Sequence, residues 1–110
     1  MNWNKLENID QLNTIDQESK SGRVLILKHS TRCGISHTVV DRFERGWSDE
    51  DSKKIKPYYL DLLAHRDISN EIAARYKVIH QSPQVVVIEN GACIYHVSQL
   101  EINCKDILSH

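Results

Sequence analysis

The sequence predicts an α/β fold in which a mixed central sheet of about four strands carries helices on both faces. Three observations predict it. Arg23–His29 is an unbroken, largely apolar run bounded by polar residues, the pattern of a strand buried on both faces. Asn90-Gly91 separates two strand-like segments and is a strong type I′ hairpin signal. Segments of helical spacing alternate with the strands in the order α-β-α-β-α-β-β-α, and such crossovers followed by a hairpin require a mixed sheet.

Leu6, Ile9, Leu12 and Ile15 recur about once per turn, which predicts a helix over 5–19 ending near Ser21-Gly22. After the first strand, 30–34 reads as a loop rich in N-capping residues. Ile35, Val39, Val40 and Phe43 return at helical spacing, and Gly46 stops that helix. Residues 48–56 are polar and read as a surface connection. Pro57 precedes a second strand over 58–62. Ile68, Ile72 and Tyr76 predict a helix over 68–77 with Asp67 as its N-cap. The third strand covers 84–89, and 92–97 is its hairpin partner. Ser98 and Glu101 have capping-box spacing for a last helix with Leu100, Cys104, Ile107 and Leu108 on one face.

The chain has 110 residues, so residues 1–110 are expected to form a single domain. Hydrophobic residues at 40% and charged residues at 26% exclude a disordered tail protein. Fourteen basic residues against fifteen acidic ones, without a block of like charge, argue against an electrostatic nucleic-acid binder, which is normally basic on one face. No apolar run approaches the roughly 20 residues of a membrane span, and the first residues lack the apolar core of a secretion signal. The expectation is a cytoplasmic protein without nucleic-acid or membrane partners. The oligomeric state stays open.

Cys33, Cys93 and Cys104 are widely spaced and odd in number, which reads as free thiols rather than a disulfide or a zinc knuckle. Cys33 lies at the junction between a strand and a helix. A helix N-terminus presents unpaired N–H groups and the positive end of the dipole, which favours a thiolate there. Gly34 leaves room for a partner, and Arg32 is a nearby cation. Ser36 stands three residues on, where a dithiol site has its second cysteine; its hydroxyl can donate to the sulfur but cannot form a disulfide. Cys93, in the hairpin, and Cys104, on an apolar helix face, read as core residues. Trp3 and Trp47 read as packing anchors. His29 and His37 flank Cys33 in an H-x3-C-x3-H array, but the change from strand to helix is expected to point the rings apart, so no metal site is expected. The candidate site is Cys33 with Ser36 and the Ser82-Pro83 segment at the entrance to the third strand.

The segment Lys28-His29-Ser30-Thr31-Arg32-Cys33-Gly34-Ile35-Ser36 resembles the K-H-S-T-x-C-P-I-S motif of the monothiol bacilliredoxins, also called the YtxJ family. Arg66, Ser69-Asn70 and His80-Gln81-Ser82-Pro83-Gln84 resemble that family's R-x-x-S-N and H-x-S-P-Q segments. One departure is Gly34, where the family commonly has proline; it is closer to the C-G-F-S of monothiol glutaredoxins. The resemblance implies a thioredoxin-like fold, Cys33 as nucleophile, Ser36 in the resolving position and Pro83 as a cis-proline facing Cys33. Ser82 would then offer backbone groups to a substrate disulfide, and Arg32 and Gly34 would border it. The implied activity is removal of a low-molecular-weight thiol, bacillithiol, from S-thiolated proteins without any cofactor. Two other readings stay open. One is an iron–sulfur carrier holding a cluster between two chains, and the other is a non-catalytic module in which Cys33 is a redox mark.

Overall fold

The computed structural model describes all residues, Met1–His110. Five strands and five helices follow in the order β1 (Asn4–Lys5), α1 (Gln11–Glu18), β2 (Arg23–His29), α2 (Gly34–Gly46), α3 (Asp49–Lys54), β3 (Ile55–Asp61), α4 (Arg66–Tyr76), β4 (Gln84–Glu89), β5 (Ala92–Ser98) and α5 (Cys104–Leu108). The sheet order is β1-β3-β2-β4-β5. Strands β1 and β2 run parallel to β3, whereas β4 is antiparallel to both β2 and β5. The mixed sheet is as the sequence predicts.

Six of the seven residues of β2 are buried, because this strand is paired on both edges and covered on both faces. Its alternate side chains feed two cores. Val24 and Ile26 join Leu12, Ile15, Ile68 and Ile72 from α1 and α4. Leu25 and Leu27 join Val39, Phe43 and Ile107 from α2 and α5. Trp3 stacks on Phe43 with ring centroids 5.6 Å apart, and Trp47 is buried on the same side, so both are packing anchors.

Several boundaries differ from the sequence reading. A fifth strand replaces the expected start of the first helix: Asn4 and Lys5 pair with Tyr58 and Tyr59, and Leu6 is buried as the strand's continuation. The helix starts only at Gln11, whose Oε1 accepts the N–H groups of Glu7 and Asn8 and holds a turn ahead of it. The connection 48–56 contains α3, initiated by a capping box in which Ser48 and Asp51 bond each other's backbone N–H. Strand β3 includes Pro57. Its carbonyl accepts Asn4 Nδ2 on the side of β1, so the missing N–H falls where β1 has not yet begun to pair.

The N-cap of α4 is His65 rather than Asp67, which lies in the first turn, where its charge suits the helix dipole. Ser98 and Glu101 form no capping box. Residues 99–101 are a separate 3-10 turn, and α5 is capped by Asn103 Oδ1 accepting the N–H groups of Lys105 and Asp106. Leu100 therefore lies outside the last helix and is exposed. At the β4–β5 turn, Asn90 and Gly91 both adopt positive φ, as a type I′ turn requires. Ser19, buried at the end of α1, accepts the Asn90 N–H at its carbonyl and the Gly91 N–H at Oγ.

Ile26 is fully buried in the central strand between α1 and α4. Ile26→Ala is expected to cost about 2–5 kcal/mol of stability, the range for an aliphatic side chain lost from a rigid core. The shift of a urea denaturation midpoint checks it.

Candidate active site

Strand β2 ends at His29, and the loop 30–33 leads into α2 with Cys33 as N-cap in extended conformation. The Cys33 side chain makes no capping bond and is half-buried. The first N–H groups of α2 lack intrahelical acceptors, and the sulfur stands at that end. A Cβ built on Gly34 meets nothing within 4 Å, so the fold does not need a glycine there and the space before the helix is open. Arg32 is exposed on the same loop.

The register of β2 and β4 ends with Lys28 opposite Gln84, which brings Ser82 and Pro83 to the same end of the sheet as the 30–33 loop. The Ser82–Pro83 peptide bond is cis, Pro83 is buried, and its carbonyl accepts the Gln99 N–H at 2.8 Å. Ser82 Oγ is buried without a partner.

Ser36 differs from the expectation that its hydroxyl serves the sulfur. It is fully buried, accepts the Ser30 N–H at 3.1 Å, and lies 2.6 Å from His29 Nδ1. Its proton has no other acceptor, so it is donated to Nδ1, which fixes the neutral ring as the Nε2–H tautomer. His29 and His37 do not point apart either. Their rings meet edge to face at 4.9 Å, because the first turn of α2 folds back over the strand end. His37 Nε2–H donates to the Thr31 carbonyl at 2.7 Å. His37 is thus bound to the loop directly, and His29 only through Ser36 of α2, whose Oγ accepts the Ser30 N–H. The Ser30 carbonyl accepts the Cys33 N–H at 3.1 Å, and the Cys33 carbonyl accepts the His37 N–H at 3.1 Å.

Lys28 is a second feature that hydrophobic patterning hides. It is fully buried on the opposite face, and its ammonium donates to the Ser69 carbonyl and to His80 Nδ1, each at 3.3 Å. Burial lowers its pKa to about 8. The three segments that resemble family motifs converge here. The signal that could have revealed this was a lysine next to a run of buried aliphatics.

Cys93 and Cys104 are half-buried against the two cores rather than fully inside them. Cys93 bonds the Tyr95 carbonyl and Cys104 that of Phe43, each at 3.5 Å. Burial pushes both thiols up in pKa. The largest cleft, about 600 Å³, lies between the 77–81 loop and β5 and contains no residue of the 30–36 segment. Cys33 and Ser36 both lie outside it, so this cleft does not define the site.

The monothiol bacilliredoxin BrxC family model matches residues 4–107. The chain belongs to that family. Its fold is the thioredoxin fold, as solved structures show. One, described as a candidate oxidoreductase with a thioredoxin fold, is 32% identical, with 96% of this chain and 89% of that chain covered at a TM-score of 0.80. Thioredoxin from Malassezia sympodialis is 19% identical, with 98% and 86% covered and a TM-score of 0.77. Thioredoxin from Fasciola hepatica is 17% identical, with 96% and 92% covered and a TM-score of 0.70. Family and fold together give this bacilliredoxin a thiol redox function. No helix is long and apolar enough to cross a membrane.

Two predictions follow from the charge states. Burial holds the His29 imidazole below histidine's ordinary range, and His37 adds to the shift while Asp61 and Glu44 oppose it. The folded chain therefore takes up this proton at lower pH than the unfolded chain. The stability tied to the neutral ring is complete above about pH 6.5 and is lost as the pH falls through the folded-state value. Urea titrations at about pH 7 and about pH 5 are expected to show the loss, and His29→Asn should reduce it. Separately, Cys93 and Cys104 should react with iodoacetamide at neutral pH more slowly in the folded chain than in the unfolded one. Peptide mass spectrometry reads each position.

Proposed function

We propose that this bacilliredoxin is a monothiol thiol–disulfide oxidoreductase that removes a low-molecular-weight thiol, bacillithiol, from S-thiolated proteins in the cytoplasm. The observation that carries the reading is Cys33 at the N-cap of α2 with its sulfur in no capping bond, at the same end of the sheet as the Ser82–Pro83 segment, with serine at the position of a second thiol. The Cys33 thiolate attacks the small-thiol sulfur of the mixed disulfide. That S–S bond breaks, the target protein leaves as a thiolate and takes a proton, and Cys33 retains the small thiol as a new disulfide. A second small-thiol thiolate then attacks this disulfide and releases Cys33, so one mixed disulfide and one thiol become one reduced protein and one symmetrical small disulfide. Neither step calls for a cofactor. Exposed Arg32 and the open space before Gly34 border the approach, and the backbone of Ser82 meets the substrate disulfide.

The test is to incubate reduced protein with bacillithiol disulfide and read its intact mass. One adduct at Cys33, transferred from an S-thiolated protein in catalytic amounts, is the expected result. No adduct rejects the reading. An adduct without turnover favours the redox-mark alternative, and dimerisation on reconstitution with iron and sulfide favours the cluster carrier.

Ser36→Cys separates monothiol from dithiol chemistry. Residues 33 and 36 span the first turn of α2. A cysteine at 36 supplies a thiol that expels the small thiol from Cys33, at the expense of the two hydrogen bonds made by the serine. The variant's adduct is expected to be short-lived and to end as a 33–36 disulfide, while the wild-type adduct persists once excess reagent is removed. Time-resolved intact mass distinguishes them.

A further inference from the structure

The last two residues of β2 face opposite sides of the sheet, and each is buried and bonded toward a different loop at the thiol site. We propose that Lys28 and His29 are a pair of positioning residues, Lys28 anchoring the 79–83 segment and His29 anchoring the 30–36 segment, so that one strand end holds both walls of the site independently. The proposal rests on the reading of Cys33 as nucleophile.

The Lys28 arm is a buried ammonium with no carboxylate within ion-pair distance. A leucine or methionine would fill that space without desolvating a charge, so core packing alone does not account for it. What the ammonium holds is the His80 ring on the segment leading to Pro83, and Ser69 on α4. Gln84, opposite Lys28 in the register, donates Nε2–H to the Ile79 carbonyl at 3.0 Å. Residues 79 and 80 are therefore both fixed from the β2–β4 pair, just ahead of the orphaned Ser82 hydroxyl.

The His29 arm runs through Ser36 to the Ser30 N–H, with His37 closing on Thr31. Protonating His29 places a hydrogen on Nδ1 and deprives the Ser36 proton of its acceptor, so this arm must rearrange in acid. The titratable groups facing His29 are His37 and Glu44 on α2 and Tyr59 and Asp61 on β3. The two arms share no residue and lie on opposite faces of the sheet.

The experiment compares full-length Lys28→Met, His29→Phe and His29→Asn with wild type. It reads amide hydrogen exchange by segment, the pH profile of Cys33 alkylation, and kcat and KM on an S-thiolated protein. His29→Phe keeps a buried ring but no Nδ1. It is expected to raise exchange in 30–36, slow alkylation about three- to tenfold and flatten its acid limb, with His29→Asn restoring most of the rate. Lys28→Met is expected to raise exchange in 79–83 and raise KM more than it lowers kcat, with a smaller effect on alkylation than His29→Phe. Should Lys28→Met fail to fold, Lys28→Gln replaces it.

The proposal is overturned if either variant loosens both segments equally, if His29→Phe leaves the alkylation profile unchanged, or if Lys28→Met lowers kcat with KM unmoved. If the wild type reduces no S-thiolated protein, the functional reading fails, and exchange and alkylation still decide this one.

Discussion

The pairing of β2 on both edges is the constraint on which the rest of the molecule depends. A strand hydrogen-bonded on both sides cannot rotate about its axis, so each side chain is committed to one face. Along most of β2 this commitment sorts aliphatic groups into two cores. At its end the same alternation assigns a lysine to one face and a histidine to the other, and burial makes both assignments expensive to undo. The candidate site thus begins where the strand stops supplying apolar side chains and supplies a buried lysine and histidine instead.

Charged groups elsewhere act as ties between helices and sheet. Asp16 on α1 accepts from the Arg75 guanidinium and the Tyr76 hydroxyl on α4, which also pairs Arg75 with Glu71. Glu18, at the end of α1, binds Lys56 and Tyr58 of β3. Both carboxylates are shielded enough for these bonds to orient the helix, though exposed pairs of this kind add little stability each. Their position at the ends of α1 and α4 keeps them clear of Cys33.

Strands β2 and β4, the hairpin turn and α2 were legible because each carries a dense local signal, such as an apolar run, an Asn-Gly pair or helical spacing. What escaped was decided by partners distant in sequence. Two residues at Asn4–Lys5 form a strand only because β3 offers an unpaired edge, and nothing in their own composition announces it. A local signal can also mislead. Ser98 and Glu101 have the spacing of a capping box but fall on a 3-10 turn, while the working box is Ser48 with Asp51, in a stretch whose polarity masked a helix. At the site, Cys33, Ser82 and Pro83 could be picked out by type and motif. The side-chain direction of Ser36 and the meeting of His29 with His37 could not, because they depend on how the first turn of α2 folds back on the strand.

Ser19 has a consequence for re-engineering the chain. A two-residue hairpin turn with exposed residues is ordinarily the first place to open for a new terminus or to insert a tag. Here both backbone N–H groups of that turn are claimed by one buried serine at the end of α1. Cutting or lengthening the chain at Asn90-Gly91 would strip Ser19 of both turn N–H groups and remove this tie between the end of the first helix and the hairpin. New termini are better accommodated in the exposed Lys53–Lys54 end of α3, which carries no such clasp.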